Sequence, residues 1–158
     1  MAHLPGRLTI AAVGKLRTPH WRAAQADYLE RLRRYIDVEL VEVRDVVGTV
    51  PDDVAVAREG ESLLGAAADI PWIIVLDAAG KHADSVQLAG YVRRQIEVYH
   101  HLGFLIGGPV GLSDDVIERG NERLSLSRLT FPHELARVIL LEQLYRAATI
   151  MSGEHYHK

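Results

Sequence analysis

Cysteine is absent from all 158 residues. Disulfides, thiolate zinc sites, iron–sulfur clusters and a cysteine nucleophile are thereby excluded. The absence fits a reducing compartment, so a cytoplasmic protein is expected. Long apolar runs are missing too: none reaches the roughly 18 residues of a membrane span. The stretch Met1 to Arg7 lacks the apolar segment of a signal peptide. Positive charge falls slightly short of negative, 18 lysines and arginines against 21 acids, and a formal net charge of −3 argues against a surface coated with basic groups for nucleic acid, leaving a local basic face open. What remains is ordinary globular composition, 48% apolar and 25% charged, which argues against disorder. A chain of this size makes one domain, residues 1–158, and hides roughly 70% of its unfolded surface.

Short apolar runs alternate with helical periodicity along the chain. Leu8–Val13 reads as a buried strand bounded by Gly14. Pro19 opens a helix whose Trp21, Ala24, Tyr28, Leu32 and Tyr35 share one face. Val38–Val43 is strand-like, and Asp52 or Asp53 is placed to cap a helix running to Ala68. Trp72–Leu76 is a strand that Asp77 and Gly80 should stop. Asp84 or Ser85 caps the next helix, to about His100; Phe104–Ile106 is a very short strand; Ser113 starts a helix ending near Gly120. Leu124–Leu126 is expected as the last strand and Glu134 to Met151 as the last helix. The alternation predicts an α/β fold with a mostly parallel sheet flanked by helices. The final helix looks greasier than one sheet face requires, which suggests a homodimer.

Four segments carry candidate chemistry. Ile106-Gly107-Gly108-Pro109-Val110-Gly111 follows a strand and precedes a helix, so it is either a tight turn or a place where a ligand approaches bare backbone. It is neither GxGxxG nor a P-loop, which disfavours NAD or ATP bound in the usual way. Leu126-Ser127-Arg128-Leu129-Thr130-Phe131-Pro132-His133 mixes apolar side chains with hydroxyls, suiting a flat aromatic ligand among backbone amides, or simply leading into a helix with Thr130 as cap. The tail Ser152–Lys158 holds His155, Tyr156, His157 and Lys158, and reads as a frayed end or as a set of donors for a phosphate or a proton. Between positions 15 and 34, Lys15, Arg17, Arg22, Arg31, Arg33 and Arg34 face only Asp27 and Glu30, forming a solvated helix face or a phosphate-contact surface. No metal site is expected: a zinc-protease helix starting at His133-Glu134 would need a histidine where Arg137 stands, and His155 with His157 lacks further ligands.

Taken in order, LTIAAVGK (Leu8–Lys15), LDAAGK (Leu76–Lys81), IGGPVGL (Ile106–Leu112), LSLSRLTFPH (Leu124–His133), Arg137-Val138, EQLYRA (Glu142–Ala147) and the terminal Tyr156-His157-Lys158 resemble the ribosomal RNA large subunit methyltransferase H family of the SPOUT superfamily. The likeness covers essentially the whole chain. It implies an α/β fold with a C-terminal trefoil knot, which the general rule against knotted chains would not have suggested. It also implies a homodimer, S-adenosylmethionine as cofactor, and methylation of N3 of pseudouridine 1915 in helix 69 of 23S ribosomal RNA within assembled ribosomes. The cofactor residues it implies are Leu76, Gly107, Gly108, Leu126, Ser127, Arg128, Leu129, Thr130 and Phe131. His133, Arg146, Tyr156 and His157 are the candidates for placing the base and handling its N3 proton, with the tail reaching toward the partner subunit. Val110 stands where some relatives carry a polar residue. With no appended RNA-binding domain expected, the dimer would supply the recognition surface. Two other readings compete: an α/β enzyme using another nucleotide, and a ribosome-associated binding module without catalysis.

Overall fold

Five parallel strands form one sheet in the order β2-β1-β4-β3-β5 in the computed structural model, which describes residues 3–158. Met1 and Ala2, part of the segment read for a leader, lie outside the described residues. The strands are β1 (Arg7–Val13), β2 (Asp37–Val43), β3 (Trp72–His82), β4 (His101–Ile106) and β5 (Glu122–Ser125). They alternate with helices α1 (Pro19–Arg33), α2 (Asp52–Ala66), α3 (Ser85–Tyr99), α4 (Asp114–Arg119) and α5 (His133–Met151).

The expected sheet with helices on both faces is present. Successive residues of a strand point to opposite faces, and β1 uses both: Leu8, Ile10 and Ala12 join one apolar cluster, Ala11 and Val13 the other. The first cluster lies under α1, α3 and α5, with Leu29, Leu32, Val92, Ile96, Leu140 and Leu144. The second lies under α2 and α4, with Leu63 and Val116. Both faces of β4 are covered, so Leu102, Phe104, Leu105 and Ile106 are all buried.

Several boundaries differ from the sequence reading. β4 begins at His101 rather than Phe104, because pairing with β1 fixes it from Arg7↔His101 onward. β3 does not stop at Leu76. Leu124 pairs with both Leu76 and Lys81, so residues 77–80 loop out and the strand resumes to His82. The last strand is Glu122–Ser125, two residues earlier than expected. On α1 the fully buried positions are Gln25, Leu29 and Leu32, while Trp21, Ala24 and Tyr28 sit half-buried at the edge of that stripe. Pro51, not an aspartate, precedes α2; Asp52 and Asp53 fall in its first turn, where their charge suits the helix dipole. Asp84 forms a full capping box with Gln87 on α3, and Ser113 caps α4 through Val116 N. Pro132, rather than Thr130, occupies the N-cap of α5.

The apolar surplus expected on α5 is largely taken up within the chain. α5 packs between α1 and α3, burying Val138, Leu140, Leu141, Leu144, Ala147 and Ala148. The large apolar residues left exposed among the described residues are Val86, Val98 and Leu129, none of them on α5. No helix among the described residues is long and apolar enough to cross a membrane.

Candidate functional site

A cavity of about 420 Å³ opens beyond the carboxyl ends of β4 and β5 and beside Leu76 of β3. That is where open α/β sheets receive ligands, because the loops there leave main-chain groups unpaired. One wall is the glycine loop after β4. Gly111 has φ +81 and its N–H donates to Gly108 O at 3.0 Å. A Cβ on Gly107 would lie 2.8 Å from the carbonyl carbon and oxygen of Gly111, so the loop closes on itself only with glycine there. The opposite wall is the stretch between β5 and α5. Its hydrogen bonds are local, from Ser125 Oγ to Ser127 O at 3.0 Å and from Leu129 N to Ser127 Oγ at 3.0 Å. Among the described residues the amides of Ser127, Thr130 and Phe131 find no protein acceptor.

Leu76, Gly107, Gly108, Leu126, Ser127, Leu129, Thr130 and Phe131 all line this one cavity. Arg128 does not: its side chain is exposed beside the lining. The sequence reading missed Asp77, Ile106, Leu112, Ile117, Ser125 and Ala136, which also line it. Asp77 carried a signal, a carboxylate directly after a strand. It accepts from Ala79 N at 3.1 Å and faces Arg123 at 3.8 Å.

The four candidate catalytic residues separate into two places. His133, at the start of α5, lines the cavity. Arg146, Tyr156 and His157 gather near the other end of that helix. Arg146 donates to Glu142 at 2.5 Å, and Tyr156 Oη donates to the same carboxylate oxygen at 3.1 Å. Arg146 stacks 4.7 Å over the Tyr156 ring and lies 3.4 Å from His157 Nδ1. Glu142 holds the Arg146 guanidinium above its ordinary pKa, and burial, with Glu142 second, pushes the Tyr156 phenol up to about 12. Tyr35, in the turn after α1, fixes the tail further in, donating to Glu154 at 2.6 Å; burial first and Glu154 next push its phenol to about 12. The tail is therefore seated on Tyr35 and α5 rather than frayed. Thirteen helical steps separate His133 from Arg146, about 20 Å at 1.5 Å per step, so the tail cluster is remote from its own cavity.

The first turns of α5 are clamped by charge. Glu134 accepts from Arg17 N at 2.6 Å and Thr18 N at 3.4 Å, and the Thr18 side chain first, with those main-chain bonds after it, holds its carboxyl below the usual range. Arg137 is buried and donates to Glu42 at 2.7 Å, Val13 O at 2.9 Å, Gly14 O at 2.8 Å and Gln25 at 3.3 Å. Of the basic residues between 15 and 34, Arg31 pairs with Asp27, Arg34 with Glu30 and Arg17 with Asp45; among the described residues Lys15, Arg22 and Arg33 form no ion pair. The described residues contain no cluster of three metal-ligating side chains.

Comparison with known proteins agrees with this geometry. Residues 7–157 match the family described as predicted SPOUT methyltransferase. The chain is 44% identical to the ribosomal RNA large subunit methyltransferase H of Desulfovibrio desulfuricans, over 95% of its length and 96% of that protein. The corresponding protein of Pelotomaculum thermopropionicum is 42% identical, over 95% and 98% of the two chains, and that of Anaeromyxobacter sp. 43%, over 96% and 99%. Among solved structures, a probable methyltransferase from Bordetella pertussis Tohama I superposes with a TM-score of 0.60 at 18% identity, over 90% of this chain and 96% of that one. A probable methylase family protein from Haemophilus influenzae Rd KW20 gives 0.56 at 12%, over 96% and 70%. At such identities these structures speak for the fold alone.

Proposed function

The chain belongs to the SPOUT methyltransferases, in the group named ribosomal RNA large subunit methyltransferase H, and from that premise we propose that it methylates N3 of pseudouridine 1915 in helix 69 of 23S ribosomal RNA. The substrate in this reading is the assembled ribosome, the working unit a homodimer, the compartment the cytoplasm, and residues 1–158 one SPOUT domain. The C-terminal trefoil knot goes with it; the looping out of residues 77–80 around Leu124 is in keeping with such a crossing.

The observation that carries the proposal is the single cavity built jointly by the glycine loop and residues 126–131. Its donor set fits S-adenosylmethionine, the family's cofactor. Unpaired amides of Ser127, Thr130 and Phe131 suit the edge of an adenine, and Leu76, Leu126 and Leu129 supply the apolar walls that hold its faces. A Cβ at Gly107 would collide with the Gly111 carbonyl and so displace the loop that forms the facing wall. When bound, the cofactor supplies an electrophilic methyl group on a positively charged sulfur. The chain itself has to position the base in line with that methyl, exclude water and accept the proton leaving N3 as the new N–C bond forms. His133 lines the cavity wall, which supports giving it the proton in this reading. Arg146, Tyr156 and His157 are too far from their own cavity, so their role is to place the base in the cavity of the partner protomer.

The test is direct. Purified protein and labelled S-adenosylmethionine are incubated with ribosomes from cells lacking the modification, and the helix 69 fragment is examined by mass spectrometry. A methyl group on the target pseudouridine is expected. Calorimetric titration should show binding of S-adenosylmethionine and none of NAD or ATP. Ribosomes that stay unmethylated would overturn the reading.

A further inference from the structure

A second cavity, of about 300 Å³, lies on the other side of the short edge strand β5. Lys81, Arg94 and Arg123 line it against one acid, Glu122, in a chain whose net charge is −3. Lys81 is partly occupied by Glu122 at 3.4 Å. Arg123 touches Asp77 only at 3.8 Å and stays half exposed. Arg94, exposed on α3, has no ion pair among the described residues. The floor includes Tyr91, whose hydroxyl is pinned by Trp72 Nε1 at 2.7 Å. Surplus cation over a fixed aromatic floor is the composition of a site for a sugar–phosphate strand.

Its place in the fold says which strand. Leu124 lines both cavities, and Asp77 on the wall of the first faces Arg123 on the wall of the second. We propose that the second cavity is a subsite for the RNA backbone flanking the target nucleotide, with Arg94 and Arg123 each contacting a phosphate while the target base occupies the first cavity. This rests on the proposed ribosomal RNA activity and adds to it a contact surface distinct from the basic stretch of α1. A protein partner would gain little here, because the cavity offers one carboxylate to three cations. An RNA strand brings a negative charge with every nucleotide.

The experiment measures binding of wild type, R94Q and R94Q/R123Q to unmodified ribosomes across a salt series, alongside methylation by wild type and calorimetric affinity for S-adenosylmethionine. Each lost phosphate contact should make the slope of log K against log salt shallower by roughly 0.7 to 0.9. Cofactor affinity of R94Q should not change. R94K/R123K, which keeps both charges, should retain most of the slope. Should the slopes of wild type and both glutamine variants coincide, the subsite is overturned, even if wild type methylates normally. A wild type that methylates nothing but still shows the slope difference overturns the assigned reaction and leaves the subsite standing. A wild type that binds no ribosomes at any salt overturns both. If R94Q/R123Q fails to fold, R94Q alone, at an exposed helical position, still reads the slope.

Discussion

Arg137 and Glu59 are the two charged side chains the fold buries almost completely, at 1% exposure each, and they behave differently. Arg137 is the better supplied: although its Nε finds no partner, its two terminal nitrogens join Glu42 of β2, Gln25 of α1 and the carbonyls of Val13 and Gly14 at the end of β1. Burial lowers its pKa while Glu42 raises it. Replacing it by methionine leaves Glu42 and two carbonyls without their donor, a loss of about 3 to 5 kcal/mol for a broken buried pair. Urea denaturation of R137M should show it; an unchanged midpoint would mean the network holds nothing. Glu59 is poorly supplied. Oε2 accepts from Val46 N at 3.1 Å, Oε1 has no partner, and burial, with Asp45 adding to it, raises the pKa. A carboxyl whose folded pKa is raised binds its proton more tightly when folded, so its favourable contribution is full below the unfolded value and is lost as pH rises through the folded one. E59Q has no such loss. Its melting temperature should gain on wild type as pH rises from 4 to 8; a constant offset across that range would contradict this. Sequence singled out neither role. Arg137 stood in a recognisable motif, and Glu59 looked like any helical glutamate, because burial of one charge depends on which loops meet above it.

Strand β3 shows how far elements are legible in a sequence. The run Trp72–Leu76 announces a buried strand through its composition, and the structure keeps it. Asp77 and Gly80 look like its end, yet the chain loops out and rejoins the sheet at Lys81 and His82. The reason lies at Gly80, where a Cβ would come within 2.7 to 2.9 Å of the backbone of Arg123 and Leu124. This glycine permits a close crossing of two segments more than 40 residues apart, which no local propensity encodes. G80A should therefore push β5 away from β3. Because both contacted groups are backbone, neither side can yield cheaply, and a cost of about 1 to 3 kcal/mol is expected. Leu124 and Ser125 form part of the cavity wall, so cofactor affinity should fall as well. Urea midpoint and calorimetry read the two effects; normal values for both would mean the crossing tolerates a methyl group. The helices were easier, since Asp84 with Gln87 and Ser113 with Val116 are local capping signals that act within four residues.

At the scale of the whole molecule, the motifs of the sequence collect at two sites rather than one. All the expected cofactor residues but Arg128 meet in a single cavity although they come from one strand and two loops, a convergence that motif order along the chain suggested but only the sheet order β2-β1-β4-β3-β5 brings about. The tail did not join them. Tyr35 and Glu142 seat it on the far part of α5, where Tyr156 also packs on Tyr145 at 4.7 Å. One protomer thus holds a cofactor cavity without the tail groups and a tail cluster without a cavity beside it. A homodimer with each tail serving the opposite cavity would complete both sites, and this makes a prediction that a frayed or merely structural tail does not. Protein lacking Tyr156–Lys158 should fold and bind S-adenosylmethionine but not methylate ribosomes. G107V, whose side chain would collide with the Gly111 carbonyl, should fold but bind no cofactor. Neither works alone. Mixed and allowed to exchange subunits, half the dimers pair one of each and carry one complete site, so about a quarter of wild-type turnover should return. If the mixture stays as inactive as its components, each tail serves its own cavity; if the truncated protein is active by itself, the tail takes no part in the reaction.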